Sequence, residues 1–344
     1  MSLKTVEWKD NSVIMIDQTK LPNSLEYVTY TDYNQVANAI RTLVVRGAPA
    51  IGVSGAFGLA LAALQSNAKE KDQLIQDLKT AKKILFETRP TAVNLSWGLD
   101  KIMKSAEQCK TASEIRDNVI AKAKEMAEDD VNINKKMGKI GAELFQNNDT
   151  IMTHCNAGAL ATVGYGTALG VIRATNESGK NIKVIATETR PIQQGSRLTA
   201  FELKHDGIDV SLIPDTAVGY TMANGLVNGV VVGADRILRT GHVFNKIGTY
   251  QVATMAKQHN IPFYVAAPLS TFDLKSNPEN VVIEQRKASE VTGIGDTKTA
   301  PDGIDVINPA FDMTPPELIS GIITENGIAK PPFEKSIRQL FAAN

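Results

Sequence analysis

Five short apolar runs, separated by helical patterns, occupy the chain after residue 150 and constrain its fold more than any other feature. The runs are Thr150 to His154, Ile182 to Thr187, Asp209 to Ile213, Gly229 to Gly233 and Ile261 to Ala267. The helical patterns between them lie at about 157–174, 194–206, 216–224 and 246–259. Strands of continuous Val and Ile character that alternate with helices indicate a parallel sheet covered on both faces. The sequence therefore predicts a doubly wound, Rossmann-like α/β domain with a parallel sheet.

Helical patterns dominate before residue 150. Only three short strand-like runs occur there, at Thr5 to Lys9, Val13 to Gln18 and Glu26 to Thr31. The uncharged stretch Ala50 to Leu64 is too short to span a hydrocarbon layer about 30 Å thick and is predicted to be a buried helix. We therefore predict a mainly helical domain with a small β element at 1–125 and the α/β domain at 126–344.

Charge and cysteine usage exclude several classes of function. Lys plus Arg and Asp plus Glu both number 37, so no global basic field attracts nucleic acid or an anionic membrane. The two cysteines, Cys109 and Cys155, cannot build a disulfide framework, and the sequence MSLKTVEWKD lacks an apolar signal core. We expect a cytoplasmic protein that binds neither nucleic acid nor membrane.

Motifs for metals and common cofactors are missing from the sequence. The four histidines form no HxH or HExxH pattern, and no CxxC occurs, so no metal site is expected. The glycines after residue 155 do not form G-x-G-x-x-G, and neither GxSxG nor GxxxxGK[ST] is present. The expected activity is therefore one that needs no cofactor.

Residues that follow the predicted strands are the first site candidates, because ligands bind outside the carboxyl ends of the strands in this fold. Cys155 follows the first run, although a small buried hydrophobic role is an alternative. Asp235 follows the run in VVVGADR, where it could instead cap a turn. Asn245 and Lys246 precede a predicted helix and suit an anion, although a lysine there is often only a surface charge.

Arginine-containing loops supply further anion-binding candidates. The tetrapeptide ETRP occurs twice, placing Arg89 and Arg190 before a proline that favours an extended backbone. Such guanidinium groups suit bidentate contacts with phosphate. The alternative is that each pairs internally with a glutamate, which we expect for one of the two. In Arg46-Gly47-Ala48-Pro49, the proline is predicted to open a helix, which leaves backbone N–H groups at Gly47 and Ala48 for an anion. A plain capping turn is the alternative.

Taken together, a thiol, a carboxylate and several anion-binding groups favour acid–base chemistry on a small sugar phosphate.

Longer motifs make the chain resemble the methylthioribose-1-phosphate isomerase family. They are RGAPAIG (46–52), TRPTAVNL (88–95), THCNAGALAT (153–162), ETRPIQQGSRLTAFEL (188–203), VVVGADRI (230–237) and NKIGTYQVA (245–253). The resemblance runs from about Trp8 to Phe333. The wider superfamily includes isomerases of ribose 1,5-bisphosphate and 5-deoxyribose 1-phosphate, and regulatory subunits of the exchange factor for translation initiation.

The resemblance implies an aldose–ketose isomerase that converts 5-methylthioribose 1-phosphate to 5-methylthioribulose 1-phosphate in methionine salvage, as a homodimer. It implies that Cys155 and Asp235 are catalytic. It also implies that phosphate and sugar contact Arg46, Gly47, Ala48, Arg89, Gln194, Asn245 and Lys246. Our hypothesis is that Asp235, kept protonated by an apolar pocket, protonates the ring oxygen. Cys155 then removes the C2 proton as a thiolate, or stabilises the transition state if a hydride moves from C2 to C1.

Two departures from the family pattern leave the substrate open. His242 stands where an acidic residue is common, and Gly195-Ser196-Arg197 stands where GAR is common. A related sugar such as 5-deoxyribose 1-phosphate therefore stays an alternative. A bisphosphate would need a second anion site, for which Arg190 or Arg197 is the candidate. A non-enzymatic exchange-factor subunit would need no thiol–carboxylate pair at all.

Overall fold

The computed structural model describes residues 3–342, which divide into two compact units. The first unit contains the described residues up to Lys135 together with Gly158–Gly166. The second unit contains Lys136–Ala157 and the described residues from Thr167 onward. The sequence-based division into 1–125 and 126–344 stays a prediction about which parts fold independently.

The first unit is mainly helical with a small antiparallel sheet, as the sequence predicts. Its strands pair in the order β1-β2-β3. The elements are β1 (Val6–Lys9), β2 (Ser12–Ile16), β3 (Tyr27–Tyr30), α1 (Tyr33–Arg41), α2 (Ala48–Gln65), α3 (Lys71–Phe86), α4 (Val93–Gln108) and α5 (Ala112–Ala142), of which α5 continues into the second unit.

Helix α2 forms the centre of the first unit. Among the described residues it is the one helix that is long and apolar enough to cross a bilayer, but most of it is buried in the core. Glycines let it approach α4 closely, because a Cβ on Gly52 would lie 2.8 Å from the Asn94 carbonyl oxygen. A Cβ on Gly98 would lie 2.5 Å from the Gly52 oxygen. The predicted buried helix is therefore confirmed, and its glycines serve close helix packing.

The second unit is built on a seven-stranded sheet in the order β16-β15-β10-β7-β4-β5-β6. All pairs are parallel except β15–β16. The strands of this sheet are β4 (Thr150–Thr153), β5 (Lys183–Thr187), β6 (Asp209–Ile213), β7 (Gly229–Val232), β10 (Phe263–Ala266), β15 (Gly321–Thr324) and β16 (Gly327–Ala329). The helices are α6 (Ala168–Glu177), α7 (Ala200–His205), α8 (Val218–Ala223), α9 (Thr249–Gln258), α10 (Ser289–Thr292) and α11 (Phe333–Ala342). The predicted α/β fold with a parallel sheet is confirmed.

Several parts of the second half of the chain differ from the sequence-based expectation. The strands β15 and β16 at one edge of the seven-stranded sheet were not predicted. A four-stranded sheet in the order β11-β8-β9-β14 was not predicted. Its strands are β8 (Arg236–Leu238), β9 (Val243–Lys246), β11 (Phe272–Asp273) and β14 (Phe311–Thr314), and the remaining hairpin is β12 (Gly293–Ile294) with β13 (Thr297–Lys298). The helix expected at 157–174 is wrong in its first half, which is a 3-10 turn at Ala159–Ala161 and a loop before α6. Gly166 at φ +87° is incompatible with a continuous right-handed helix there.

Asp130 on α5 anchors the loop Gly158–Gly166 within the first unit. Its Oδ2 accepts hydrogen bonds from the Val163 backbone N–H at 2.8 Å and from Asn134 Nδ2 at 3.1 Å. Burial outweighs these two bonds and raises the pKa of Asp130 from 3.8 to about 7. The carboxyl group is therefore a source of pH-dependent stability.

We predict that the free energy of unfolding contains an Asp130 contribution that is lost as pH rises from about 4 to about 7. The folded state binds this proton more tightly than the unfolded chain, so ionisation above the folded pKa destabilises the protein by up to about 4 kcal/mol. Urea unfolding of wild type and Asp130→Asn between pH 5 and pH 8 measures it. The variant, which cannot ionise, should gain stability relative to wild type as pH rises. An equal pH slope in both proteins would contradict the assignment.

Candidate active site

Cys155 lies just beyond the end of β4, which is an interior strand of the parallel sheet. The residue is buried and has φ 65°, in the left-handed region that non-glycine residues rarely adopt. Its N–H donates to Thr189 Oγ1 at 2.9 Å, and its carbonyl accepts from Thr199 Oγ1 at 2.6 Å. Backbone strain of this kind, of order 1–3 kcal/mol, persists where surrounding contacts over-determine it and is concentrated at functional sites.

Asp235 follows β7, the strand that pairs with β4. The two strands are parallel, with Met152 opposite Val230, so Cys155 and Asp235 both lie beyond the carboxyl ends of neighbouring strands. The backbone N–H of Asp235 donates to the Phe244 carbonyl at 2.9 Å, and the residue is half-buried. A thiol and a carboxylate are thus placed at the same edge of the sheet, where this fold binds ligands.

His154 ties the Cys155 segment to the segment that follows β9. Its Nδ1 lies 2.7 Å from Thr187 Oγ1 and its Nε2 lies 2.9 Å from the Ile247 carbonyl oxygen. A carbonyl oxygen only accepts, so Nε2 carries the proton and Nδ1 accepts from the Thr187 hydroxyl. Burial lowers the pKa of His154, which favours this neutral form. Because both ring nitrogens are engaged, the residue next to the thiol is a structural link.

Asn245 and Lys246 are the last residues of β9 and are both buried. Asn245 Nδ2 donates to Thr249 Oγ1 at 3.0 Å, and the Lys246 Nζ lies 4.9 Å from the centre of the Phe311 ring. On the neighbouring strand β14, Asp312 accepts the Gly248 N–H at 2.7 Å, ahead of the start of α9. The prediction that an amide and an ammonium precede a helix is confirmed, although the two residues lie in a strand that was not predicted.

Gln194 is buried in the turn that follows β5. Its Oε1 atom is buried and has no hydrogen-bond partner among the described residues, which is unusual for a native side chain and suits a group that meets a ligand. The next residues, Gly195–Thr199, form a π-helical turn, a feature often found at functional sites. A Cβ on Gly195 would lie 1.7 Å from the Thr187 carbonyl oxygen, so the turn requires glycine there.

Gly47 occupies the N-cap of α2 in the first unit. It has φ +91°, and a Cβ there would lie 2.5 Å from Ala161 Cα, so glycine is required for both its backbone conformation and the close approach of the loop. The helix begins at Ala48, one residue earlier than predicted, and Pro49 lies in its first turn. Arg46 directly precedes this helix start and is half-buried.

Arg89 precedes a second helix start in the same unit. It lies four residues before Val93, the first residue of α4, and is half-buried. The close approach of Gly52 to Asn94 places the second turn of α2 against the first turn of α4. Helix amino termini carry positive partial charge and N–H groups without intrahelical partners, so two of them with two nearby arginines favour an anion.

The other ETRP arginine has a different environment. Arg190 donates to the carbonyl oxygens of Pro191 at 2.8 Å and Val291 at 3.0 Å. Its own N–H and that of Thr189 donate to the Asp215 carboxylate at 2.7 and 2.8 Å. Arg190 therefore holds its loop against residues 290–291, which is a structural role.

Residues behind Cys155 were missed by sequence reasoning. Asn156, Thr199, Glu202 and Arg173 form a buried polar network whose members lie up to 46 residues apart in the chain. The only sequence signal is a charged residue inside an apolar helical pattern, as in GVIRAT and LTAFEL. Among residues 3–342, no group of three or more His, Cys, Asp and Glu side chains is arranged to hold a metal ion.

Comparison with known proteins gives a consistent family. Residues 44–331 match the initiation factor 2 subunit family. A Thermosipho africanus protein named methylthioribose-1-phosphate isomerase is 51% identical over 344 residues, covering 99% of each chain. The crystal structure of 5-methylthioribose 1-phosphate isomerase from Pyrococcus horikoshii is 43% identical with a TM-score of 0.93, covering 99% of this chain and 96% of that one. An A. fulgidus structure described as translation initiation factor eIF-2B subunit delta is 49% identical with a TM-score of 0.89, covering 99% and 100%.

Proposed function

Because the chain belongs to the initiation factor 2 subunit family and, within it, to the methylthioribose-1-phosphate isomerases, we propose that it isomerises 5-methylthioribose 1-phosphate to 5-methylthioribulose 1-phosphate. This aldose–ketose isomerisation serves methionine salvage. The observation that carries the proposal is the placement of Cys155 and Asp235 beyond the ends of the paired strands β4 and β7.

The phosphate on the anomeric oxygen of the substrate explains why both a carboxyl group and a thiol are needed. It locks the sugar as a ring, so no free aldehyde is available until the bond between C1 and the ring oxygen breaks. Asp235 protonates the ring oxygen, which makes it a good leaving group. A hydrogen then moves from C2 to C1, either as a proton removed by the Cys155 thiolate or as a hydride. The C2 hydroxyl gives its proton to the Asp235 carboxylate and becomes the ketone, which restores the acid, so the reaction needs no external oxidant.

Anion-binding groups orient the sugar for this reaction. Within the first unit, Arg46, Arg89 and the backbone N–H groups of Gly47 and Ala48 suit a phosphate. Within the second unit, Lys246 supplies a buried positive charge. Gln194 Oε1 and the Asn245 amide contact the sugar hydroxyls. Fixing both ends of the substrate aligns C1 and C2 with the acid and the thiol, which removes much of the entropic barrier.

The environments of Arg190 and Arg197, the two candidates for binding a second phosphate, favour a monophosphate substrate over a bisphosphate. Arg190, a candidate for a second phosphate, already donates to two backbone carbonyl oxygens. Arg197 donates to the Ile192 carbonyl at 3.4 Å, and burial lowers its pKa. A second phosphate would have to displace these contacts.

A translation-factor subunit is the competing proposal, because the A. fulgidus relative carries that description at 49% identity. Such a subunit needs a fold and a partner surface. It does not need a left-handed Cys155 held by two hydroxyls, or a buried Gln194 oxygen that has no hydrogen-bond partner within residues 3–342. These features favour the enzyme.

We also propose that the protein acts in the cytoplasm as a homodimer. Balanced charge, with 37 basic and 37 acidic residues, fits a partner of its own kind better than a nucleic acid or a membrane. The edge strand β6 and the neighbouring helix α8 expose Leu212 and Tyr220, which are 49% and 68% accessible. Exposed apolar side chains beside an edge strand suit an interface between copies.

Turnover of three sugar phosphates, followed by NMR, tests the proposed function. We expect conversion of 5-methylthioribose 1-phosphate, and slower conversion of 5-deoxyribose 1-phosphate by roughly 10- to 200-fold, because an apolar pocket discriminates weakly against a missing group. Ribose 1,5-bisphosphate should not react. Failure to convert any of the three would contradict the enzyme and support the translation-factor subunit.

A further inference from the structure

A buried polar cluster lies directly behind Cys155 and is not used by the proposed reaction. It consists of Asn156, Thr199 and Glu202, all buried. Asn156 Nδ2 donates to Glu202 Oε1 at 2.8 Å and to Thr199 Oγ1 at 3.2 Å. The Thr199 hydroxyl in turn donates to the Cys155 carbonyl at 2.6 Å. Thr199 and Glu202 therefore contact the side chain of Asn156, and Thr199 also contacts the peptide group between Cys155 and Asn156.

An ion network anchors this cluster to α6 and α7. Glu202 Oε2 accepts from Arg173 at 2.8 Å, and Arg173 also binds the Asp206 carboxylate at 2.6 Å. Burial alone would lower the pKa of Arg173, but the two carboxylates reverse this and hold it above its ordinary value. Glu202 has 0% exposure, and its two oxygens accept from Arg173 and from Asn156, so its side chain is held from both sides.

The backbone on the other side of Cys155 is held as well. Thr189 Oγ1 accepts a hydrogen bond from the Cys155 N–H at 2.9 Å. The peptide groups on both sides of Cys155 are therefore hydrogen-bonded to threonine hydroxyls. A residue at φ 65° would relax toward an ordinary conformation without such restraints. That relaxation would rotate the Cα–Cβ bond and carry the sulfur away from its position.

We infer that Thr199 and Asn156 are positioning residues, which hold Cys155 in its left-handed conformation and thereby present the thiol to the sugar. The inference rests on the proposed function, since it concerns the same cysteine. The cluster acts on the thiol through the Cys155 peptide. The Arg173–Glu202 ion pair supplies the rigid support for Asn156.

A pair of substitutions at Thr199 isolates the hydroxyl from the rest of the side chain. Thr199→Val keeps the shape but removes the donor to Cys155, whereas Thr199→Ser keeps the donor. Thr175→Val is the matched control, because Thr175 is equally buried and its hydroxyl donates to the Val171 carbonyl within α6. All variants are made in full-length protein. Thermal denaturation verifies that each is folded at the assay temperature.

Two readouts distinguish positioning from simple stabilisation. The first is kcat and KM with 5-methylthioribose 1-phosphate. The second is the rate of Cys155 alkylation by iodoacetamide in a Cys109→Ser background, which leaves one thiol because the chain has two cysteines. Alkylation needs no turnover, so it tests positioning even if the proposed substrate is wrong.

We expect Thr199→Val to lower kcat by ~10- to 100-fold with KM unchanged, since small displacements of a reacting group cost about this much. The same substitution removes a restraint on the Cys155 backbone, so the rate of Cys155 alkylation should increase. Thr199→Ser should restore both values, and Thr175→Val should leave both at wild-type level despite a similar loss of stability. The inference is overturned if Thr199→Val matches wild type in both readouts, or if Thr175→Val changes them equally. Absence of turnover in wild type, with altered alkylation in Thr199→Val, would reject the proposed function and keep the positioning.

Discussion

Asp235→Asn is expected to lower kcat for 5-methylthioribose 1-phosphate by roughly 100- to 10,000-fold, the usual contribution of a positioned general acid. The amide has nearly the same size but cannot protonate the ring oxygen. The backbone N–H of Asp235, which donates to Phe244, is unaffected by the change. KM should change little, because the phosphate-binding groups stay in place. Steady-state kinetics followed by NMR give both constants.

Asp273→Asn is the matched control for this substitution. Asp273 forms an ion pair at 3.4 Å with Arg236, the residue next to Asp235. Losing that carboxylate tests whether a change of charge in this segment is sufficient to reduce activity. A kcat near the wild-type value in the control, with a large fall in Asp235→Asn, supports the assignment of the acid. Near-normal turnover of Asp235→Asn would eliminate it.

Cys155→Ala is expected to reduce kcat by a similar factor, roughly 100- to 10,000-fold, through loss of the thiol at the reacting carbons. The small change in volume should cost little stability in comparison. Cys109→Ala is the control, because Cys109 is half-buried at the end of α4 and its Sγ contacts the Ser105 carbonyl. The control should keep wild-type kcat. Equal kcat in Cys155→Ala and wild type would return Cys155 to a structural role.

The same assay in D₂O separates the two routes for the C2 hydrogen. A proton taken up by the Cys155 thiolate can exchange with solvent, which introduces deuterium at C1 of the product. A hydride that moves directly from C2 to C1 carries no solvent deuterium. Proton NMR of the product methylene group therefore identifies the role of the thiol, as a base or as a group that stabilises the transition state.

The alternation of apolar runs and helical patterns was sufficient to predict the α/β fold and the central strands. Asp209 to Ile213 was predicted with the observed bounds, and the other four predicted runs differ from β4, β5, β7 and β10 by one or two residues at their ends. The strands β15 and β16 of the same sheet were not predicted. The information is local, because a buried parallel strand must be apolar over its own length. The sheet formed by β8, β9, β11 and β14 was missed because its strands are short and pair with distant segments.

The same contrast applies to the candidate site. Sequence alone placed Cys155 and Asp235 at strand ends and Gly47 ahead of a helix, since strand ends and helix starts have local signals. It could not reveal the left-handed backbone of Cys155, the engagement of both nitrogens of His154, or the support that Glu202 and Arg173 give to Asn156. Those features depend on side chains that are 29 to 93 residues apart, and a hydrogen bond requires atoms to meet within about 3 Å. The local sequence pattern was sufficient to identify the candidate residues at strand ends and helix starts. Only the tertiary structure determined how the Cys155 thiol is held.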